Sequence, residues 1–371
     1  MHMNEALLFP KPRPVLNHLK PYVAGKAIIE VEAMVPSSYH PILKMASNEN
    51  PLGCSVSFEQ LEKAYETIHY YPNHLTTNLV ETLSDKFELD ASHFILGNGS
   101  DEVILFMAMA YLNPSEEVIT SESTFSEYAF ATRVMGGELR LVPLKAWRHD
   151  LEAILLAITP KTKLIYLANP NNPTGDILTF TELSAFMARV PETCMVVLDE
   201  AYGEYVWHPD FPQPKGLITK FSNLVVLRTF SKLYGMAGFR LGYGMAQPQV
   251  IQTLKKVVAP FNINTLALVA GSFALKNTEF VEKTLLSNLE GKQSIEAELD
   301  KMGLKYLNSY ANFILIQLPI PASVIVARLL GYGIIVRDLA SFDLPYCLRV
   351  TIGLSDQNMR FIDALKRSLK E

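Results

Sequence analysis

The chain has 371 residues, 49% hydrophobic and 19% charged, enough apolar material for a large core and a length typical of about two domains. Its formal net charge of -5, from 33 basic and 38 acidic residues, gives no broad attraction to nucleic acid or to an anionic membrane surface. The three widely spaced cysteines, Cys54, Cys194 and Cys347, form no C-x-x-C pair; they fit a reducing, cytoplasmic compartment and argue against a disulfide framework or a zinc site, so no metal is expected.

The first segment, "MHMNEALLFPKPRP", runs into prolines after four apolar residues and lacks the layout of a signal peptide. Residues 1–40 are proline-punctuated, too short to form a core alone, and are expected to lie as an arm across the rest. From about residue 57 to 260, helix-like and strand-like segments alternate. "FEQLEKAYETIHYY" and "TNLVETLSDKFEL" carry apolar residues at spacings of three and four, and "DEVILFMAMAYL" is apolar nearly all round, as a buried helix would be. Short β-rich runs follow: "EVITS", "ELRLVPL", "KLIYLA", "CMVVLDE", "NLVVLRTF" and "RLGYGMA". Several are continuously apolar, which suits strands covered on both faces by helices. The expected fold class is α/β, with a mostly parallel mixed sheet flanked by helices.

After Pro260 the pattern changes. A helical stretch over about 265–302 contains "INTLALVAGSFAL", the longest charge-free apolar run; it falls short of the roughly 18–20 residues a membrane span needs and reads as a buried helix. The segments "KYLNS", "NFILIQL", "GIIVRD" and "CLRVTIG" then read as short strands, with helices near 322–330 and 355–370. The expected division is an arm over 1–40, a large domain over 41–262 and a smaller α+β domain over 263–371.

Four features place polar groups where an apolar strand ends, the edge at which open α/β sheets bind ligands. In "LGNGSDEVILFMA", Gly97 and Gly99 permit a tight turn before Ser100 and Asp101 open a helix, an arrangement suited to phosphate, although a plain N-cap is the commoner use of such residues. In "LIYLANPNNPTGD" two prolines flank Asn171 and Asn172, a rigid turn that aims an amide side chain. In "MVVLDEAYGEY", Asp199 closes a strand expected to be buried, where a carboxylate needs a partner, and Tyr202 follows three residues later. In "VLRTFSKLYGMAGFR", Lys232 follows a core strand and Arg240 lies eight residues on. A lysine there can pair with an acid, hold phosphate or act as an amine nucleophile.

Together these are the parts needed to hold pyridoxal phosphate: an amine for its aldehyde, an acid for its pyridine nitrogen, an amide for its phenolic oxygen and a phosphate cradle. The order Gly-Ser-Asp, Asn-Pro-Thr-Gly, Asp-x-x-Tyr, Ser-Lys with an arginine eight later, and a late arginine resembles the fold-type I pyridoxal-phosphate-dependent aminotransferases across nearly the whole chain. Within that family, "KMASNENPLG", "YYPN", "LRTFSKLYGMAGFRLGYG", "GIIVRD" and "CLRVTIG" are similar to the histidinol-phosphate and aromatic aminotransferases. Cys54, after "NPLG", departs from the proline frequent there.

The resemblance implies Lys232 as the lysine that bonds the cofactor, Asp199 on its pyridine nitrogen, and Asn172 and Tyr202 at its phenolic oxygen. Gly99, Ser100, Asp101, Ser231 and Arg240 would surround the phosphate, and Phe125 would stack on the ring. Tyr71 would reach the phosphate of a neighbouring subunit, which makes a homodimer part of the site. Arg349 would clamp a substrate carboxylate or phosphate with the fork that arginine offers, and Arg337 and Tyr22 would line the substrate end. The implied reaction is transamination of L-histidinol phosphate with 2-oxoglutarate. The rivals are an aromatic amino-acid aminotransferase and, further off, a decarboxylase of a phosphorylated amino acid; a non-catalytic regulator would need a DNA-binding domain for which the pattern leaves no room.

Overall fold

The computed structural model describes residues 11–19, 26–72 and 75–370. Among the described residues, twelve strands appear in chain order: β1 (Leu43–Lys44), β2 (Phe94–Gly97), β3 (Glu117–Ser121), β4 (Glu138–Val142), β5 (Thr162–Ala168), β6 (Met195–Asp199), β7 (Leu224–Thr229), β8 (Gly242–Ala246), β9 (Phe313–Gln317), β10 (Ile334–Ile335), β11 (Arg337–Asp338) and β12 (Cys347–Thr351). Seven form one sheet in the order β2-β8-β7-β6-β5-β3-β4. Strands β7, β6, β5, β3 and β4 are mutually parallel, and β8 pairs antiparallel with both β2 and β7. The expected mostly parallel mixed sheet is therefore present.

Side chains along a strand alternate between faces, and here both faces are buried. Val196, Leu198, Leu224 and Val226 enter one apolar core with Ile165 and Leu167. Their neighbours Met195, Val197, Val225 and Leu227 enter a second with Leu164 and Tyr166. That two-sided burial explains why the strands read as unbroken apolar runs. The helix Ser100–Tyr111 supplies Val103, Ile104, Phe106 and Met107 to the second core, which accounts for its lack of a polar stripe.

A smaller unit forms around β9, β12 and β11, an antiparallel sheet in the order β11-β12-β9. The helices Ala322–Gly331 and Ser355–Ser368 cover it, with Ile325, Leu329, Phe361 and Leu365 packed on Ile314, Ile316, Leu348 and Val350. Strand β1 pairs with β10, and Leu43 and Met45 sit in this smaller core. Thr265–Lys276, in turn, packs Ala267, Leu268 and Ala274 into the larger core, whereas Ile295 and Leu299 of the next helix join the smaller. The units thus exchange segments at both expected boundaries: the chain leaves the smaller core after Met45, and returns to it within the helix Thr278–Lys301.

Other sequence expectations are corrected. Of the helix expected over 58–71, only Glu62–Tyr65 is α-helical; its apolar side chains Phe58, Tyr65 and Ile68 are exposed, so this chain offers them no core to lie on. The stretch 265–302 is two helices, broken at Asn277, whose side chain caps the second by accepting from the Phe280 N–H at 3.1 Å. "KYLNS" forms an isolated bridge at Tyr306 opposite Ile316 rather than a strand. In the arm, Val31 packs against Ile42, Ala46 and Ile335.

Candidate active site

Strands β2, β3, β5, β6 and β7 point the same way, so the turns after them gather at one sheet edge. A cavity of about 1040 Å³ opens there, lined by Gly99, Ser100, Asp101, Phe125, Asn172, Asp199, Tyr202, Ser231, Lys232, Arg240, Arg337 and Arg349 among others. Sequence reasoning had named each of these twelve. One further named residue, Tyr71, is exposed, its ring stacked on Phe261 at 4.4 Å, and it does not line the cavity of the single chain; Tyr22 lies outside the described residues.

Asp199 ends β6 with its carboxylate almost fully buried. Oδ2 accepts from the Tyr128 hydroxyl at 2.8 Å and Oδ1 from the Ala201 N–H at 3.1 Å. Burial pushes the carboxyl up to about 6, against the downward pull of Tyr128, Ala201 and Lys232. Lys232 lies just beyond the end of β7, half-buried, its Nζ donating to the Ser47 carbonyl at 3.0 Å and 5.8 Å from the centre of the Tyr202 ring. The Tyr202 hydroxyl accepts from Asn48 Nδ2 at 2.8 Å.

The phosphate-cradle residues converge from two turns. Gly99, at φ 77, precedes the helix that Ser100 opens, and a Cβ on it would lie 2.6 Å from Arg240 Nη2. A Cβ on Gly242 would meet the Ser100 nitrogen at 2.3 Å, so β8 packs directly against that helix start. Arg240, itself at φ 56, donates to Asp101 Oδ2 at 3.2 Å. The result is a helix N-terminus, a hydroxyl pair from Ser100 and Ser231 and a half-exposed guanidinium around one concavity, a donor set suited to a phosphate dianion. With the amine of Lys232 and the anchored carboxylate of Asp199 in the same cavity, the residues fit pyridoxal phosphate.

On the other wall, Arg349 is buried and donates through Nη1 to Asn172 Oδ1 and through Nη2 to the Ala46 carbonyl at 2.7 Å. Its guanidinium also lies 5.3 Å from the centre of the Phe313 ring. Arg337, opposite it in the sheet, is half-buried. Sequence reasoning missed Tyr128, Ser47, Asn48 and Glu127, all of which line the cavity. Tyr128 carried a weak signal, since it stands three residues after Phe125 at a helix start, a spacing that shares a face; their rings meet edge-on at 5.7 Å. Glu127 is raised to about 7, by burial first and by Asp101 second.

A doubly covered sheet with a lysine and a buried carboxylate at its edge, a helix-start cradle and a pair of arginines defines a transferase fold built around a phosphorylated cofactor. Residues 40–365 match the model of the aminotransferase class I and II family. The chain belongs to that family, among its histidinol-phosphate aminotransferases. It is 42% identical to the histidinol-phosphate aminotransferase of Moorella thermoacetica, over 97% of this chain and 93% of the relative. With that of Symbiobacterium thermophilum it shares 41% identity over 97% and 99%. The fold matches the crystal structure of histidinol-phosphate aminotransferase from Sinorhizobium meliloti in complex with pyridoxal-5'-phosphate, with a TM-score of 0.89, 27% identity and coverage of 98% of this chain and 99% of that one.

Proposed function

We propose that the protein is a pyridoxal-phosphate-dependent transaminase that exchanges the amino group between L-histidinol phosphate and 2-oxoglutarate, a step of histidine biosynthesis. The observation that carries this reading is the shared cavity of Lys232 and Asp199, with Arg337 and Arg349 on its substrate wall. The cofactor, when bound, supplies an electron sink for the carbanion that forms when the substrate loses its proton. The chain's own residues do the rest. Gly99, Ser100, Asp101, Ser231 and Arg240 hold the phosphate, and Phe125 supports the ring.

With the cofactor bound, Lys232 Nζ would hold it and would be the general base placed to take the proton from the amine-bearing carbon of the substrate. Asp199 holds a proton on the pyridine nitrogen, and Asn172 and Tyr202 orient the phenolic oxygen. Arg337 and Arg349 meet the anionic group of each substrate in turn, the phosphate of one and a carboxylate of the other. The carboxylate of an aromatic amino acid would bring one negative charge to the two cations and a phosphate monoester close to two, which favours the phosphorylated substrate. We read the chain as one half of a cytoplasmic homodimer, in which the exposed Tyr71 ring reaches the neighbouring subunit's phosphate site. Among the described residues, no helix is long and apolar enough to cross a membrane.

The test is a single half-reaction. Protein loaded with pyridoxal phosphate is mixed with histidinol phosphate or with phenylalanine, without keto acid, and the cofactor's visible absorbance is followed. Faster conversion by histidinol phosphate is expected. The reverse preference would move the chain to the aromatic aminotransferases, and no conversion by either would overturn the transaminase reading.

A further inference from the structure

Asp199 and Tyr128 belong to elements 71 residues apart, and their contact is not accounted for by the motifs that define the cavity. Tyr128 stands at the start of the helix Glu127–Met135. Its ring is fully buried and parallel to Tyr166, with centroids 4.9 Å apart and planes within 2°. The Tyr166 hydroxyl donates to the Ile104 carbonyl at 3.2 Å, which ties the ring stack to the helix that opens at Ser100. The other edge of Tyr128 meets Phe125. A phenol so enclosed has little freedom to swing, and its hydroxyl, removed from water, needs an acceptor.

We propose that Tyr128 is a positioning residue: its hydroxyl, donated to Asp199 Oδ2, fixes the carboxylate in one orientation and keeps it ionised in a site that would otherwise favour the neutral acid. The catalytic consequence rests on the transaminase reading; the effect on Asp199 does not. A neutral carboxylic acid would offer a proton where an acceptor is needed and could not stabilise a protonated pyridine nitrogen. Three titratable groups besides Tyr128 bear on Asp199. Lys232 pulls the carboxyl down and Asp101 pushes it up, and Glu200, the next residue in the chain, is coupled to it electrostatically. Among the influences that favour ionisation, the Tyr128 hydrogen bond is the largest. Tyr128 itself stays a donor throughout, because burial first and Asp199 second hold its hydroxyl far above the ordinary phenol range.

The test compares Tyr128→Phe with Tyr166→Phe, which removes a hydroxyl from the same ring stack without touching Asp199. The cofactor-free proteins are labelled with carboxyl-13C aspartate, and the Asp199 resonance is assigned by its loss in Asp199→Asn. We expect the Asp199 midpoint to move up by about one pH unit or more in Tyr128→Phe, a tenfold change in the ratio of ionised to neutral carboxyl, and to stay in place in Tyr166→Phe. Equal midpoints in the parent and Tyr128→Phe, or equal shifts in both variants, would overturn the proposal. Should Tyr128→Phe fail to fold, the parent supplies the answer: its Tyr128 hydroxyl proton should give a low-field, slowly exchanging resonance that moves with the Asp199 midpoint, and a resonance indifferent to that midpoint would overturn it. None of these readouts involves turnover, so a shifted midpoint in a protein that converts neither histidinol phosphate nor phenylalanine would sink the transaminase reading and leave the Tyr128 assignment standing.

Discussion

Arg337 and Arg349 are direct partners across the antiparallel pair β11–β12, and both line the cavity. Opposed residues in such a pair share a face, and like charges there are unfavourable by roughly 0.2–1 kcal/mol. An arrangement that opposes folding is explained by a ligand that brings negative charge between the two. Arg337→Ala is therefore expected to leave the fold as stable as the parent, or slightly more so, while raising KM for histidinol phosphate by roughly 10- to 100-fold, the loss of one charged hydrogen bond. Arg349→Ala should instead destabilise the protein, because Asn172 and the Ala46 carbonyl lose a buried donor. Urea unfolding and steady-state kinetics on the two variants check this; an unchanged KM in Arg337→Ala would remove that residue from the substrate site.

Lys232 is half-buried and donates to one backbone carbonyl, so its removal should cost little stability. Lys232→Ala is expected to fold, to lose turnover by at least about 10²–10⁴-fold, and to leave no borohydride-stable attachment of cofactor to protein. Mass spectrometry after reduction reads the last point directly. A variant that still carries a reducible adduct and turns over at the parent rate would show that another amine does the work.

Burial raises the Asp199 carboxyl to about 6, above the value of about 3.9 in an unfolded chain. Between those values the folded protein binds more protons than the unfolded one, so stability falls as pH rises from about 4 to about 6 and is level above that. The penalty at pH 8 is on the order of 2–3 kcal/mol. Cofactor-free Asp199→Asn should accordingly be more stable than the parent at pH 8, lose that advantage near pH 4, and show roughly 10²–10³-fold lower turnover when loaded, the scale for removing one preorganised charge. Denaturant titrations at the two pH values decide the stability half of this, and a parent as stable as the variant at pH 8 would refute it.

Gly99→Ala puts a Cβ against the Arg240 guanidinium in a residue already at φ 77. The expected result is a cofactor Kd raised roughly 10-fold or more, through a displaced charged hydrogen bond. Gly303→Ala is the control, because Gly303 also has positive φ, 68, but nothing within 4 Å of its Cβ position. It should lose stability through backbone strain and keep the parent affinity. Equal affinity in both variants would exclude Arg240 from the cradle.

Much of the larger sheet was legible because its strands are buried on both faces, which leaves unbroken apolar runs ending in polar turns. Lys232, Asp199 and Asn172 stood out by that contrast alone. Contacts made across the fold left no such mark. Asn48 reaches Tyr202 across 154 residues, and nothing local to either residue announces it. The buried Arg228, paired with Glu200 and Glu204, was equally invisible, since a charge inside a strand reads as an exposed position until its partner is known. The stretch 58–71 failed in the other direction. Its apolar spacing is real, but spacing yields a helix only where a surface exists to receive it, and Phe58 and Tyr65 face outward in the single chain.

The carbonyls of Ala46 and Ser47 are consecutive, and one holds Arg349 while the other holds Lys232. Upstream, β1 is stitched to β10; downstream, Asn50 is fastened to the Leu233 carbonyl and to Thr284. The segment between is a short strap with both ends made fast. The Arg349 guanidinium and the Lys232 amine are therefore placed against one another by a single backbone step, about 3.8 Å from one Cα to the next, so the spacing of two cations on opposite walls of the cavity is written into one peptide unit.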